Sequence, residues 1–181
     1  YYVGSLSAAK IYPQARVTNL LAASHLKEIK EWAPDVIHSQ CEFSTFIMAK
    51  RIASDIDIPV VHTYHTVYED YTHYFIPSKR AGKKLVSVAS KTLASFCDRI
   101  IVPTYKTKKL LLTYGIYDGM IDIIPTGINI PELYDKKLLR KSLGIDEDAK
   151  VLLYLGRLGA EKNIQEIMAD YDRLKDDSIK L

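Results

Sequence analysis

The chain of 181 residues is long enough for one domain, or two small ones, with a sizeable core. Its 48% hydrophobic and 26% charged residues are typical of a globular protein, and because no run approaches the roughly 18 apolar residues of a bilayer span, we do not expect an integral membrane protein. The formal net charge of +3 conceals an uneven distribution, because residues 79–110 carry nine Lys and Arg against a single Asp.

Short apolar runs alternate with longer amphipathic stretches along the chain. The runs are rich in β-branched residues and predict short buried strands at 36–38, 60–63, 100–102, 121–124 and 151–155. Helical periodicity lies between them, at 20–32, 43–53, 85–96, 106–114 and 164–174. Because parallel neighbours need a crossover connection, this alternation predicts an α/β fold with a parallel sheet flanked by helices.

The third predicted helix joins a basic start to an apolar stripe. The stripe, whose helical spacing predicts packing on the sheet, consists of Leu85, Val88, Ala89, Thr92, Leu93 and Phe96. The cations in front of it, called the basic cluster below, are Lys79, Arg80, Lys83 and Lys84. A basic amphipathic segment beside Tyr and Phe is typical of a protein that lies on an anionic leaflet, although a solvated helix face is the alternative. We expect the stripe to be core and the basic cluster to contact a membrane.

The ends, a boundary and the cysteines indicate the context of the chain. Pro125–Pro131 and a polar stretch interrupt the pattern, so we expect one domain over 1–145 and the start of another over 146–181. There is no initiator Met, and we expect a fragment of a longer protein. Cys41 and Cys97 form no Cys-x-x-Cys pair and no disulfide framework, which favours a reducing, cytoplasmic compartment.

A segment rich in histidine and tyrosine, residues 62–75, continues the second predicted strand. Ligands bind at the carboxyl ends of strands in open α/β sheets, so His65 and the residues after it should face a ligand crevice. His62 and His65 have the spacing of a metal-binding pair, but on a strand they point to opposite faces, and we expect no metal. His62 and His38, within or at the end of strands, are candidates for satisfied core histidines.

A loop with two glycines follows the last apolar run. Gly156 and Gly159 allow a tight turn, and two cations near a helix N-terminus, Arg157 and Lys162, suit a diphosphate. We call this pair the donor cations. Neither the Gly-x-Gly-x-x-Gly nor the P-loop pattern is present, and an ordinary loop with surface charges is the alternative.

In this order, the segments 34–38, 59–66, 125–129 and 156–163 resemble the signatures of retaining GT4-type glycosyltransferases of GT-B fold. Residues 62–75 are similar to the bacterial diacylglycerol glucosyltransferases. The resemblance implies two Rossmann-like domains with the active site between them. It also implies that the Gly-rich N-terminal loop and most of the donor domain are absent, so we expect this chain alone to be inactive.

The resemblance further implies roles for individual residues. His65 matches a catalytic histidine that contacts the transferred sugar, and Gly127 belongs with the donor cations to the donor side. The acceptor side comprises Glu42, Thr66, Tyr68, Tyr71 and His73. Gly159-Ala160 departs from the family pattern, which more often has a polar residue and a proline there.

The activity implied is transfer of glucose from a UDP-sugar to diacylglycerol with retention of configuration, by a peripheral protein on the cytoplasmic face of the membrane. No tightly bound cofactor is expected. Nucleic acid is disfavoured because the basic segment lacks interleaved exposed aromatics. The alternatives are a GT4 enzyme with another acceptor, soluble or polyprenyl, and a non-catalytic module that binds anionic surfaces.

Overall fold

The computed structural model describes residues 4–7, 16–18, 23–74, 76–156, 158–159, 162–176 and 178–181, with the backbone alone for 23–25, 73 and 74. These residues belong to two compact units, Tyr1–Gly127 and Ile128–Leu181. The predicted domain boundary near Asp146 falls within the second unit and stays a prediction. Among the described helices, none is both long and apolar enough to cross a bilayer.

The first unit is built on a parallel four-stranded sheet. In chain order, its described elements are β1 (Ser5–Ser7), β2 (Arg16–Thr18), α1 (Ala23–Trp32), β3 (Ile37–Ser39), α2 (Ser44–Ile56), β4 (Val60–Thr63), a 3-10 helix (Tyr68–Tyr74), α3 (Lys79–Ala94), β5 (Arg99–Val102), α4 (Tyr105–Thr113), a 3-10 turn (Asp118–Met120) and β6 (Ile121–Ile123). The sheet order is β3-β4-β5-β6, and β1 pairs with β2 as a separate antiparallel ribbon. The predicted α/β class with helices flanking a parallel sheet is confirmed.

The core of this unit lies where the central strands contact the helices. The side chains of Ile100, Val102 and Leu111 are almost completely buried. Burying an aliphatic side chain of this size stabilises the fold by roughly 1.5–3 kcal/mol relative to leaving it exposed. The β-branched runs therefore define the strands, because their side chains are covered on both faces of a parallel sheet.

Helix α3 begins earlier than predicted and turns a different face to the core. Ser78 caps it by accepting a hydrogen bond from the Ala81 N–H, so the helix starts at Lys79 and includes the whole basic cluster. Its buried residues are Gly82, Val86, Ser90, Leu93 and Ala94. The prediction that the stripe is core holds for Leu93 and is wrong for Leu85, Val88 and Phe96, whose side chains are exposed.

Helix α3 buries this face because of the residues that form it. A Cβ at position 82 would lie 2.5 Å from Thr72 Oγ1, so glycine allows α3 to approach the 3-10 helix closely. The buried Ser90 hydroxyl is 3.0 Å from the Tyr64 hydroxyl, which gives both polar atoms a partner. Gly82 and Ser90 thus face inward beside Val86 and Leu93, and the other large apolar residues, Leu85 and Val88, mark another surface.

The second unit contains α5 (Lys136–Ser142), β7 (Lys150–Val151), α6 (Ile164–Leu174) and β8 (Ile179–Lys180). Strands β7 and β8 pair in parallel. The prediction of a buried strand over 151–155 is wrong in its extent and burial, since pairing ends at Val151 and Leu153 and Leu155 are exposed. Beyond Val151, the described residues offer this run no further strand pairing. Helix α6 has the predicted bounds.

Candidate functional site

The candidate site lies at the carboxyl edge of the first unit's sheet. Strands β3 and β4 are parallel neighbours, with Ser39 opposite His62, so the segments that follow them emerge at the same edge. This places Gln40 and Glu42 after β3 beside Tyr64, His65 and the 3-10 helix after β4. The position agrees with the general rule that ligands bind beyond the carboxyl ends of strands.

His65 is exposed and is held by an amide that follows the neighbouring strand. Its Nε2 is 2.6 Å from Gln40 Oε1. An amide oxygen only accepts, so Nε2 carries the proton and Nδ1 of the neutral imidazole is left as an acceptor. The Gln40 amide nitrogen lies 3.3 Å from His38 Nε2, and His38 Nε2 is itself 2.7 Å from Thr63 Oγ1. Gln40 therefore bridges two histidines and orients His65.

Glu42 and Tyr68 form the second part of the site. The Tyr68 hydroxyl donates to Glu42 Oε2, and burial, reinforced by this carboxylate, raises the pKa of Tyr68. Tyr68 therefore remains a protonated donor throughout the physiological pH range. Thr66 also interacts with the Tyr68 side chain. The structure thus brings together three of the residues predicted for the acceptor side.

The other oxygen of Glu42 faces a buried histidine. Glu42 Oε1 lies 3.6 Å from His62 Nε2, and the His62 ring is fully buried, edge-on to Phe46 with centroids 5.5 Å apart. Among the described residues, neither this oxygen nor either ring nitrogen has a hydrogen-bond partner. His62 is in the core as predicted, but the prediction that it is satisfied there is wrong.

The 3-10 helix is fixed in place by contacts with α3 and α4. Tyr114, the C-cap residue of α4, donates to Glu69 Oε1 over 2.6 Å, and Lys83 Nζ lies 3.7 Å from the same oxygen. Burial is the main cause that raises the pKa of Tyr114, and Glu69 adds to it. These contacts anchor the segment that carries Tyr68 and Tyr71. Lys83 is exposed along with the rest of the basic cluster, although it forms this ion pair.

The remaining predicted residues are less informative. Tyr71 lies in the wall of the same cavity as Glu42 and Tyr68, whereas the side chain of His73 is outside the described residues. Gly127 is exposed at the end of the first unit. Lys162 is exposed just before α6, and its N–H bonds Gly159 O over 3.0 Å. Arg157 lies outside the described residues, so the donor-side assignment stays a prediction.

No metal centre is found in the part of the chain that the structure describes: its His, Cys, Asp and Glu side chains form no group of three or more that could hold an ion. Both cysteines are free thiols, with Cys97 buried and Cys41 partly accessible. Gln40 is the site residue that the sequence did not reveal. A lone glutamine belongs to no catalytic motif, and only its place after β3, beside β4, could have pointed to it.

Comparison with known proteins identifies the family. The chain is 37% identical over 165 residues to an alpha-monoglucosyldiacylglycerol synthase of Streptococcus pneumoniae, covering 86% of this chain and 37% of the relative. It is 31% identical over 163 residues to a synthase of the same name from Acholeplasma laidlawii, covering 82% and 40%. The chain thus spans about two fifths of the length of these relatives.

Solved structures agree on the fold. The crystal structure of Anabaena HepE in complex with UDP and glucose superposes with a TM-score of 0.64 over 87% of this chain and 41% of that chain. At 16% identity, this likeness shows the fold alone, which is that of the GT-B glycosyltransferases. Residues 5–131 match the model of Glycosyltransferase Family 4, which includes every residue of the His65, Gln40 and Glu42 site. The chain belongs to glycosyltransferase family 4.

Proposed function

We propose that the whole protein transfers glucose from UDP-glucose to diacylglycerol, with retention of configuration, at the cytoplasmic face of the membrane. The observation that carries the proposal is the arrangement at the sheet edge, where an oriented and exposed His65 lies beside the Glu42–Tyr68 pair at an apolar cavity. The two relatives named as alpha-monoglucosyldiacylglycerol synthases support the acceptor. The UDP and glucose bound to HepE support the donor.

The reaction breaks the bond between the anomeric carbon and the diphosphate oxygen and forms a bond to the acceptor oxygen. The hydroxyl proton passes to the departing phosphate on the same face, which gives retention, and UDP leaves. His65 binds the transferred sugar through a ring orientation that Gln40 maintains. The donor cations stabilise the negative charge that develops on the leaving diphosphate. Binding and orientation of the two substrates are the contributions of this chain.

The direct test uses the full-length protein with UDP-glucose and vesicles that contain diacylglycerol. We expect a glucosyl lipid, detected by mass spectrometry, with an α-linkage by NMR. A glucosylated polyprenyl or water-soluble acceptor in place of the lipid would identify another GT4 activity. No product with any of these acceptors would favour the non-catalytic module.

The membrane part of the proposal rests on the basic cluster. All four of its side chains are exposed on the first two turns of α3. A cation near an anionic leaflet contributes on the order of 1 kcal/mol, so four cations would change the affinity for vesicles by several hundred-fold at low salt. Salt should weaken the attraction because charges are screened beyond about 8–10 Å.

Sedimentation with vesicles tests this part separately. Replacing the basic cluster with serine should release the protein from phosphatidylglycerol vesicles with little change in its melting temperature, because the partly exposed Lys83–Glu69 pair contributes at most about 1 kcal/mol. The matched control removes the same charge from other exposed positions of the first unit, namely Lys27, Lys91, Lys106 and Lys109. Equal loss of binding in the two variants would show a general effect of net charge and contradict a membrane contact at α3.

A further inference from the structure

An apolar cavity of about 760 Å³ lies between α2, the 3-10 helix and α3. Ligand pockets occupy roughly 300–1,000 Å³. The walls of this cavity include Phe43 and Phe46 at the start of α2, Leu85, Val88 and Ala89 of α3, and Phe96 just after α3. Among the described lining residues, Glu42 alone carries a carboxylate or a cationic group.

The α3 wall contains exposed residues that helical periodicity assigned to the core, next to Val86, Ser90 and Leu93 of the buried face. Leu85 and Val88 are both more than half exposed, because the sheet contacts a different face of the helix. Large apolar side chains grouped on an open surface mark an interaction site more often than isolated ones do. The stripe therefore needs an occupant that is itself apolar.

The length of the α3 wall is comparable to one leaflet of a membrane. Leu85 and Leu93 are the first and last residues of α3 in this wall, and a helical rise of 1.5 Å per residue places them roughly 12 Å apart along the axis, with Phe96 just beyond the end of the helix. Half of a hydrocarbon core about 30 Å thick is about 15 Å, which is the extent of one lipid chain. The basic cluster precedes the same stripe on the same helix, as expected for a surface that receives a lipid from an anionic leaflet.

The cavity also limits which polar groups an occupant can carry. Glu42 lines the cavity, and its buried Oε1 lacks a hydrogen-bond partner among the described residues, since Tyr68 donates to Oε2. A buried carboxylate oxygen without a donor costs free energy, so an occupant that donates there is favoured. This chemistry fits an alcohol with a long hydrocarbon chain better than a peptide, whose backbone would bring many polar groups into an apolar cavity.

We infer that this cavity binds one acyl chain of the lipid acceptor and that Glu42 accepts the hydrogen bond of the acceptor's free hydroxyl before the donor arrives. The inference rests on the proposed function, because it assigns the lipid of that reaction to a place. In the transfer step, the hydroxyl proton goes to the departing phosphate, so Glu42 orients the acceptor and gains no proton. The cavity continues directly into the candidate site through Glu42 and Tyr68.

Photolabelling of the 181-residue chain tests the cavity without relying on activity. The probe is a diacylglycerol with a diazirine midway along one acyl chain, in vesicles of phosphatidylcholine and phosphatidylglycerol. We expect labelled peptides from α2 and α3, and at least a tenfold loss of labelling in Ala89→Trp, which fills the cavity. The control Ala81→Trp makes the same change on an exposed position of α3 outside the cavity, and labelling is normalised to vesicle-bound protein.

A second variant guards against misfolding. Leu85→Gln replaces a side chain that is more than half exposed, so it should lower the melting temperature by no more than a few degrees and still reduce labelling several-fold. Wild-type labelling in both variants, or labels confined to residues 79–84, would overturn the inference. If the full-length protein glucosylates diacylglycerol while the cavity stays unlabelled, the proposed function stands and the acyl site falls. A labelled cavity in a protein that glucosylates no diacylglycerol refutes the acceptor role itself.

Discussion

Two leucines on α3 allow the orientation of this helix to be tested by stability alone. Leu93 is 9% exposed and belongs to the main core, whereas Leu85 is 58% exposed on the cavity wall. A Leu→Ala substitution in a core lowers the free energy of unfolding by about 2–5 kcal/mol. Two costs add together, the lost transfer free energy and the energy of the cavity that remains. About two fifths of the Leu85 side chain is covered, whereas full burial of a leucine contributes roughly 1.5–3 kcal/mol. In proportion to the covered fraction, Leu85→Ala should lower the free energy of unfolding by about 0.6–1.2 kcal/mol.

The assay is urea denaturation of the two single variants, followed by circular dichroism. Comparison of midpoints at an unchanged m-value gives the difference in the free energy of unfolding. Thermal melts should agree, since 1 kcal/mol shifts the melting temperature of a chain of this size by about 2–4 °C. Equal destabilisation by Leu85→Ala and Leu93→Ala would refute the orientation, because it would place Leu85 in the core and leave no open cavity.

Three further outcomes follow from the site and the core. Tyr68→Phe should lower the free energy of unfolding by about 1.5–3 kcal/mol, because it removes a donor from the largely buried Glu42 carboxylate, whereas Phe at the exposed Tyr117 should have little effect. Burial and the nearby Asp98 charge raise the pKa of Cys97 to about 12, so at pH 8.5 iodoacetamide should alkylate Cys41 long before Cys97; equal rates would contradict the buried thiol. Because the pKa of an unfolded thiol is about 8.5, the stability that this burial provides should be complete below that pH and decline as the pH rises toward 12. Replacing both donor cations with alanine in the full-length protein should abolish UDP binding by calorimetry, and unchanged affinity would move the diphosphate site elsewhere.

The sheet could be predicted because its strands are short β-branched runs that a parallel sheet covers on both faces. The prediction for β4 matches at every residue, and that for β5 differs only by including Arg99. The same rule fails at 151–155, where Val151 alone of an equally apolar run pairs with a strand within the described residues. Periodicity reports which residues are apolar, and the partner that covers them depends on the rest of the fold.

The site was predictable only in part for a similar reason. His65 and Tyr68 belong to a dense polar segment after a strand, so their position at the sheet edge followed from topology. Gln40 carries no such signal, because its role depends on the 2.6 Å contact with a residue on the neighbouring segment. Helical periodicity placed the exposed residues Leu85 and Val88 in the core, because a cavity wall and a core face have the same apolar composition. Gly82 and Ser90 are the residues whose small or polar side chains distinguish the inward face.

The most direct test of the central claim is the kcat/KM for glucose transfer by the full-length protein with alanine in place of His65. Removing one group that stabilises a transition state lowers the rate by about 100- to 1,000-fold. We expect a fall of that size with an unchanged melting temperature, because His65 is exposed, and a smaller fall for Gln40→Ala, which leaves the imidazole but removes the side chain that orients it. Activity of the His65 variant within a few-fold of wild type would contradict the account and place the chemistry elsewhere in the protein.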